Sequence, residues 1–460
     1  MSILKSIFIM SILLGFSTAS LARDNAQLIQ QRITFQQAQK ALETHQLDRF
    51  NLLRDKLNDY PLQPYLDYLY LRHRLHLTDS HTISQFIQKN SNTFYGDRLR
   101  NSWLNQLAKN KQWSLFLNYF PSSATASQQC LRLDALLATG QEKQALIDTP
   151  TLWLVGHSQD NNCDSAFKYW QAQSLLTNEL RWQRIQLALN ENQFSLAKFL
   201  AKSLDNQHQA HTWIPLWEQS HNQPLTVLQQ LKTNALNKDQ AISRDIIKHA
   251  IGRLSRKSTD QAYAYWQTIQ SKYQFSEQDQ NSIRSTIANR AALNREQRTL
   301  EFFGDLPNEE WRVRAALWQQ DWFAVQKAVF SLDKEEQLST RWQYWLGRSQ
   351  AQLGNKLAAH QTFENIINQR DYYSFLAADQ LGKPYQMNHH PIVFEQAELD
   401  AFSLLPAVAR LHEFYVMDMQ LEARRQAYEL KQSMTPRELQ LLATLTHQWR
   451  WHNQTIALLG

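Results

Sequence analysis

Adjacent carboxylates occur at Glu309-Glu310 and again at Glu335-Glu336. Paired carboxylates are what cleavage of a glycosidic bond requires, one as general acid and the other as base or nucleophile. Successive residues on a helix point about 100° apart, however, so neither pair can flank a substrate bond. Solvated faces, or acidic charges in the first turn of a helix, account for both. His412-Glu413 is not followed by the second His of an H-E-x-x-H helix, and His389-His390 has no third ligand in view. A surface His pair is the expected reading. Glycine-rich phosphate loops, G-x-S-x-G and C-x-x-C are all missing. Motif and spacing therefore assign no catalytic, cofactor-binding or metal-ligating residue.

Two features keep chemical interest. The chain has only two cysteines, Cys130 and Cys163. In an exported protein a lone pair usually forms a disulfide, which here closes a loop of about 34 residues and contributes roughly 4 kcal/mol on the chain-entropy model. A redox pair would read C-x-x-C, and a metal site would need a nearby His cluster. The second feature is 15 tryptophans, all between Trp103 and Trp451. Aromatic faces stack on sugars and would suit a glycan binder. Most of them sit on apolar helix stripes, so core filling is expected to outweigh a sugar platform.

The elements that must carry these residues begin with a leader. Lys5, the apolar run Ile7–Phe16 and the small-x-small site Ser20-Leu21-Ala22 read as a cleaved signal peptide over residues 1–22. The run is too short for a spanning helix, which needs about 20 apolar residues. No later segment is apolar enough to span a bilayer. A periplasmic protein without membrane attachment is expected once the leader is removed. The net charge of +6, from 48 basic and 42 acidic residues, is interspersed. Ordinary solubility explains it, and with the export signal it argues against nucleic acid as a partner. Only 10 glycines and 11 prolines occur in 460 residues. Few glycines imply few tight turns, which points to helix after helix with short connections.

Helical stripes confirm the pattern. In Arg341–Gly382, Trp342, Trp345 and Leu346 form one stripe, and Gly354-Asn355 breaks the helix. Ala359, Phe363, Ile366 and Ile367 form the next stripe. Asp371 can cap a third helix whose Tyr372, Phe375 and Leu376 face inward. Further pairs cover Leu28–Lys56 (broken at His45-Gln46), Leu99–Phe116, Leu131–Ile147 (Gly140), Leu180–Leu204 (residues 190–192) and Arg312–Leu332 (Gln320-Asp321). Leu346-Gly347 with Ala359-x-x-x-Phe363 matches part of a tetratricopeptide pattern. The spacing predicts an all-α superhelical array of helix pairs. Pro384 and Pro391 bracket a linker, after which helices resume over Phe394–Phe402, Pro406–Met417, Leu421–Ser433 and Pro436–Trp451. Asn453–Gly460 starts one more.

Taken in order, several segments resemble the soluble lytic murein transglycosylase family. They are Tyr60-Pro61-Leu62-x-Pro64-Tyr65-Leu66, Leu99-Arg100-x-x-Trp103-Leu104, Leu152-Trp153-Leu154-x-Gly156, Trp311-Arg312-Val313-Arg314-Ala315-Ala316-Leu317, Arg341-Trp342-x-Tyr344-Trp345, and Tyr372-Tyr373-x-Phe375-Leu376-Ala377-Ala378 with Leu381-Gly382. Cys130 and Cys163 are similar in position to the family's cysteine pair. The resemblance implies a right-handed, U-shaped superhelix over residues 23–385, a linker at 386–391, and most of a small helical linker domain over 392–460, with the two domains closing a ring. It implies peptidoglycan glycan strands as the partner, with other periplasmic cell-wall proteins as further partners. The family cleaves murein without water, leaving a 1,6-anhydro end, through a Glu-Ser motif followed by Gly-Leu-Met-Gln in a lysozyme-like domain. Neither motif occurs here. No catalytic residue carries over, and a scaffold inactive by itself is expected. The alternative is a stand-alone peptidoglycan-binding or protein-interaction scaffold. An apolar patch at Trp449, Ile456, Leu458 and Leu459 should then be exposed.

Overall fold

The computed structural model describes residues 26–459; the proposed leader, residues 1–22, lies outside them. Every regular element among the described residues is helical. None of the helices is long and apolar enough to cross a membrane.

The helix pairs follow the sequence stripes closely. Arg341–Gly382 resolves into helices Thr340–Gln352, Lys356–Glu364 and Tyr372–Leu381. Asn355 caps the second through the Ala358 amide, and Asp371 caps the third through the amides of Tyr373 and Ser374. Gly382, left-handed at φ 63°, closes the third. One expectation fails there. Tyr372 is 68% exposed, while Ser374, Ala377 and Ala378 form the buried face. At about 100° per residue, Tyr372 falls on the side of the helix opposite the face formed by Ser374, Ala377 and Ala378.

The turns explain how a glycine-poor chain can be this compact. The reading that few glycines mean few tight turns is wrong. His45, Lys111, Asn192, Gln320, Asp418 and Arg450 take φ between 55° and 65° at helix ends. Each sits in the same double hydrogen-bond pattern, as where His45 N donates to Leu42 O and Gln46 N to Ala41 O. This is the six-to-one closure that glycine usually supplies. Gly354, at φ 84°, does the same job between Gln352 and Lys356.

Two compact units result. The first runs up to Ala145 and takes in Pro391–Gly460; the second is Leu146–His390. In the first unit the N-terminal and C-terminal segments share one core. Phe35, Tyr60, Leu66, Leu99 and Trp103 belong to the same buried cluster as Leu399, Leu411, Phe414, Leu442 and Leu458. A charged clasp lies across this joint. Arg32 grips Glu413 with two hydrogen bonds of 2.9 and 2.7 Å, and the Tyr60 hydroxyl donates to the same carboxylate at 2.7 Å. Burial and the neighbouring Glu413 charge push the Tyr60 phenol far up, so it stays a donor. Helices Pro406–Val416, Gln420–Ser433, Pro436–Gln448 and His452–Leu459 build the C-terminal part. Ile456 and Leu459 are exposed as expected, at 69% and 55%, but Leu458 is buried and Trp449 packs on His412 with ring centres 4.6 Å apart.

In the second unit, helices Asn178–Asn190, Ala210–Asn222, Ala241–Ser255, Glu277–Leu293 and Glu310–Trp318 pack each against the next. Gly347 shows how close a pair can come. A Cβ built there would lie 2.5 Å from the ring of Phe363. Both cysteines are buried and disulfide-bonded, and the chain has no others.

Candidate functional site

Eight of the 15 tryptophans are buried core residues, including Trp103, Trp170, Trp266 and Trp342. The core-filling expectation holds for these. A group in the second unit packs on the core and borders a groove as well. Trp318, Trp322 and Trp345, with an edge of Trp342 and with Tyr373, line a groove of about 500 Å³ together with Arg314, Arg341, Leu317 and Gln320.

Spacing on three helices builds this groove. On Glu310–Trp318, Trp311, Arg314 and Trp318 fall at i, i+3 and i+7, one face of the helix. On Thr340–Gln352, Arg341 and Trp345 fall at i and i+4, with Trp342 beside them. Trp322 opens the intervening helix Trp322–Phe330, which Asp321 caps through the Ala324 amide.

The arginines and rings hold each other in register. The Arg341 guanidinium lies 4.5 Å from the Trp342 ring centre, and that of Arg314 lies 5.2 Å from Trp342 and 5.0 Å from Trp311. Arg295 covers Trp318 at 5.1 Å. Such contacts contribute about 0.5–2 kcal/mol each, more as water is removed. Two carboxylates fix the arginines from below. Glu310 accepts from Arg314 at 2.9 Å and lies 3.3 Å from Arg341 Nη2, and Glu336 lies 3.3 Å from the same nitrogen. Glu336 also accepts from the Trp342 indole at 3.1 Å.

These are members of the two adjacent carboxylate pairs. The pairs do not work as pairs, in keeping with their angular separation. Their second members instead meet around Arg341, which sequence adjacency does not show. Both carboxylates are already engaged by guanidinium and indole donors, so neither is presented to a substrate as a free acid. The groove offers a surface of aromatic rings and arginine donors rather than a free acid. Its flat aromatic faces suit the C–H face of a sugar ring, and its arginines supply donors to hydroxyl or acyl oxygens. Trp318, 40% exposed at the rim, is the most accessible platform. The Trp-Arg alternation at helical spacing was a usable sequence signal for this groove.

The other sequence candidates disperse. His389 and His390 are exposed in the extended segment after Lys383. His412 and Glu413 belong to the clasp of the first unit. No group of three or more metal-ligand side chains occurs among the described residues.

Comparison with known proteins fits this picture. A family model for the soluble lytic murein transglycosylase L domain matches residues 403–460. The soluble lytic murein transglycosylase of Escherichia coli K12 is 25% identical over 461 aligned positions, covering 96% of this chain and 68% of that one. Over nearly its whole length the chain is similar to soluble lytic murein transglycosylases. Solved structures agree. An inactive mutant of the Pseudomonas aeruginosa lytic transglycosylase Slt superposes with a TM-score of 0.78 at 26% identity, covering 92% of this chain and 70% of that one. The 70-kDa soluble lytic transglycosylase of E. coli gives a TM-score of 0.80 at 24% identity, covering 94% and 70%. The family's superhelical fold is thereby that of this chain.

Proposed function

We propose that this chain is the exported helical scaffold of a soluble lytic murein transglycosylase, which holds peptidoglycan glycan strands during cell-wall turnover and does not itself cut them. The family supports murein as the polymer. The groove of Trp318, Trp322, Trp345, Arg314 and Arg341 is the single observation that carries the holding role. On this reading residues 1–22 are a cleaved leader, the protein works in the periplasm, residues 23–385 are the superhelix, and 392–460 form the linker domain.

The division between holding and cutting follows from the carboxylates. Cleavage of a glycosidic bond needs an acid free to donate its proton to the leaving oxygen. Glu310 and Glu336, the carboxylates that contact the groove's arginines, do not line it and are committed to Arg314, Arg341 and Trp342. Incubation of the purified chain with murein sacculi tests both halves. Retention in the pellet with no release of 1,6-anhydro-muropeptides is expected. Anhydro-muropeptides in the supernatant would overturn the non-cleaving assignment, and failure to pellet at low salt would overturn the holding role.

A further inference from the structure

A second cavity in the unit Leu146–His390 has a different chemistry. It measures about 260 Å³, and its wall carries His221, His249, Arg253, Arg256, Thr286 and Arg290. Three neighbouring helices contribute. His221 ends Ala210–Asn222, and Thr286 and Arg290 stand one turn apart on Glu277–Leu293. His249 and Arg253 lie on one face of Ala241–Ser255, with Arg256 just beyond its end.

No carboxylate lines this cavity. Elsewhere on the same helices the cations are matched: Arg244 with Asp239, Lys248 with Asp279 and Arg284 with Asp305. Arg253, Arg256 and Arg290 have no acidic partner among the described residues. Arg253 is held in place from behind, where its Nε donates to the His221 carbonyl at 3.0 Å. Its terminal amino groups stay available. The two imidazoles are stacked at 20° with ring centres 5.2 Å apart, and His221 Nδ1 lies 3.1 Å from His249 Nε2. Burial first, then the Arg253 and Arg256 charges, hold the His221 ring low. Burial, His221 and the same arginines bring His249 to about 4. At neutral pH both rings are therefore uncharged, and the cavity is a converging set of guanidinium and ring donors. Like charges gathered around an open cavity repel, and a bound anion removes that cost.

We propose that this cavity binds the carboxylates of an acidic peptide, of the kind carried by the stem peptides of murein. The inference rests on the murein reading given above and adds the peptide as a second point of contact, separate in kind from the sugar-facing groove. Guanidinium forks match carboxylates two bonds at a time, and several forks fit a peptide with more than one carboxylate.

Calorimetric titration of the full chain with the tripeptide L-alanyl-γ-D-glutamyl-diaminopimelate at low salt is the test. The free acid is expected to bind, and the same peptide with its carboxyls amidated is not. The double substitution Arg256→Gln with Arg290→Gln should weaken binding at least tenfold without lowering the melting temperature, since neither side chain has an acidic partner to lose and their mutual repulsion is relieved. The His249 ring should titrate at higher pH when peptide is bound, because an anion favours the imidazolium. Equal binding of the amidated peptide, binding of inorganic phosphate without the tripeptide, or an unaltered double variant would each overturn the proposal. Retention on sacculi with no tripeptide binding would remove this cavity alone, whereas loss of both would remove the murein reading itself.

Discussion

Glu413 is held by two partners from the far end of the chain. It is buried to 3% side-chain exposure and accepts from Arg32 twice and from Tyr60 once. Removing its charge strands Arg32 and one phenol, so Glu413→Gln should cost about 3 kcal/mol of stability, read by urea unfolding. Less than about 1 kcal/mol would mean the clasp is loose. Glu429 behaves in the opposite sense. Burial raises its carboxyl to about 7, and one of its oxygens is buried without a hydrogen bond. The folded chain thus keeps this proton at a pH where the unfolded chain has lost it. That contribution to stability is complete below about pH 4.5 and is lost as pH rises through about 7. Glu429→Gln should therefore gain stability relative to the parent across this window, and a pH-independent difference would contradict the assignment. Neither role was legible in the sequence. Glu413 was read only as the end of a failed zincin motif, because its partners lie 381 and 353 residues away in the chain. The tryptophans were half legible. Helical spacing identifies a stripe, but whether a stripe meets a neighbour or ends at a groove depends on which helix lies opposite.

At the level of helices and turns the sequence was far more informative. The breaks at His45-Gln46, Gly140, residues 190–192, Gln320-Asp321 and Gly354-Asn355 all fall at observed turns. What composition concealed was the way they close. Left-handed Lys, Gln, Asn, His and Arg residues occupy places where glycine is usual, each at a cost on the order of 1 kcal/mol that the packed pair must offset. At Gly347 close packing is the reason a glycine is kept within a helix. Gly347→Ala would drive a methyl group into the buried Phe363 ring and should cost about 1–3 kcal/mol in thermal or chemical unfolding. Phe363→Leu in the same chain should recover part of that loss. Strictly additive effects of the two changes would show that the ring is not the obstacle.

For the whole chain, the helical class and the family were readable from residue order, whereas the partition of the core was not. Periodicity is local, and nothing in it tells that residues 396–459 share a core with residues 26–145. The contacts that decide this join Tyr65 to Phe414 and Tyr60 to Glu413, and they depend on the full path of the chain. Removal of residues 391–460 should accordingly speed amide hydrogen exchange in helices Gln63–His73 and Phe94–Lys109 while leaving residues 178–367 as they are. Uniform protection throughout would contradict the shared core. On the function proposed above, the chain holds murein through an aromatic and arginine-lined groove. The most direct measurement is the affinity of the full chain for peptide-free glycan strands, compared with that of Trp318→Ala and of Trp318→Ala with Trp322→Leu. Loss of a rim aromatic at a contact surface costs upwards of about 1.4 kcal/mol, so the single variant should bind about tenfold more weakly and the double variant weaker still, each measured at a temperature where circular dichroism shows it folded. Equal affinity of all three chains would contradict the account.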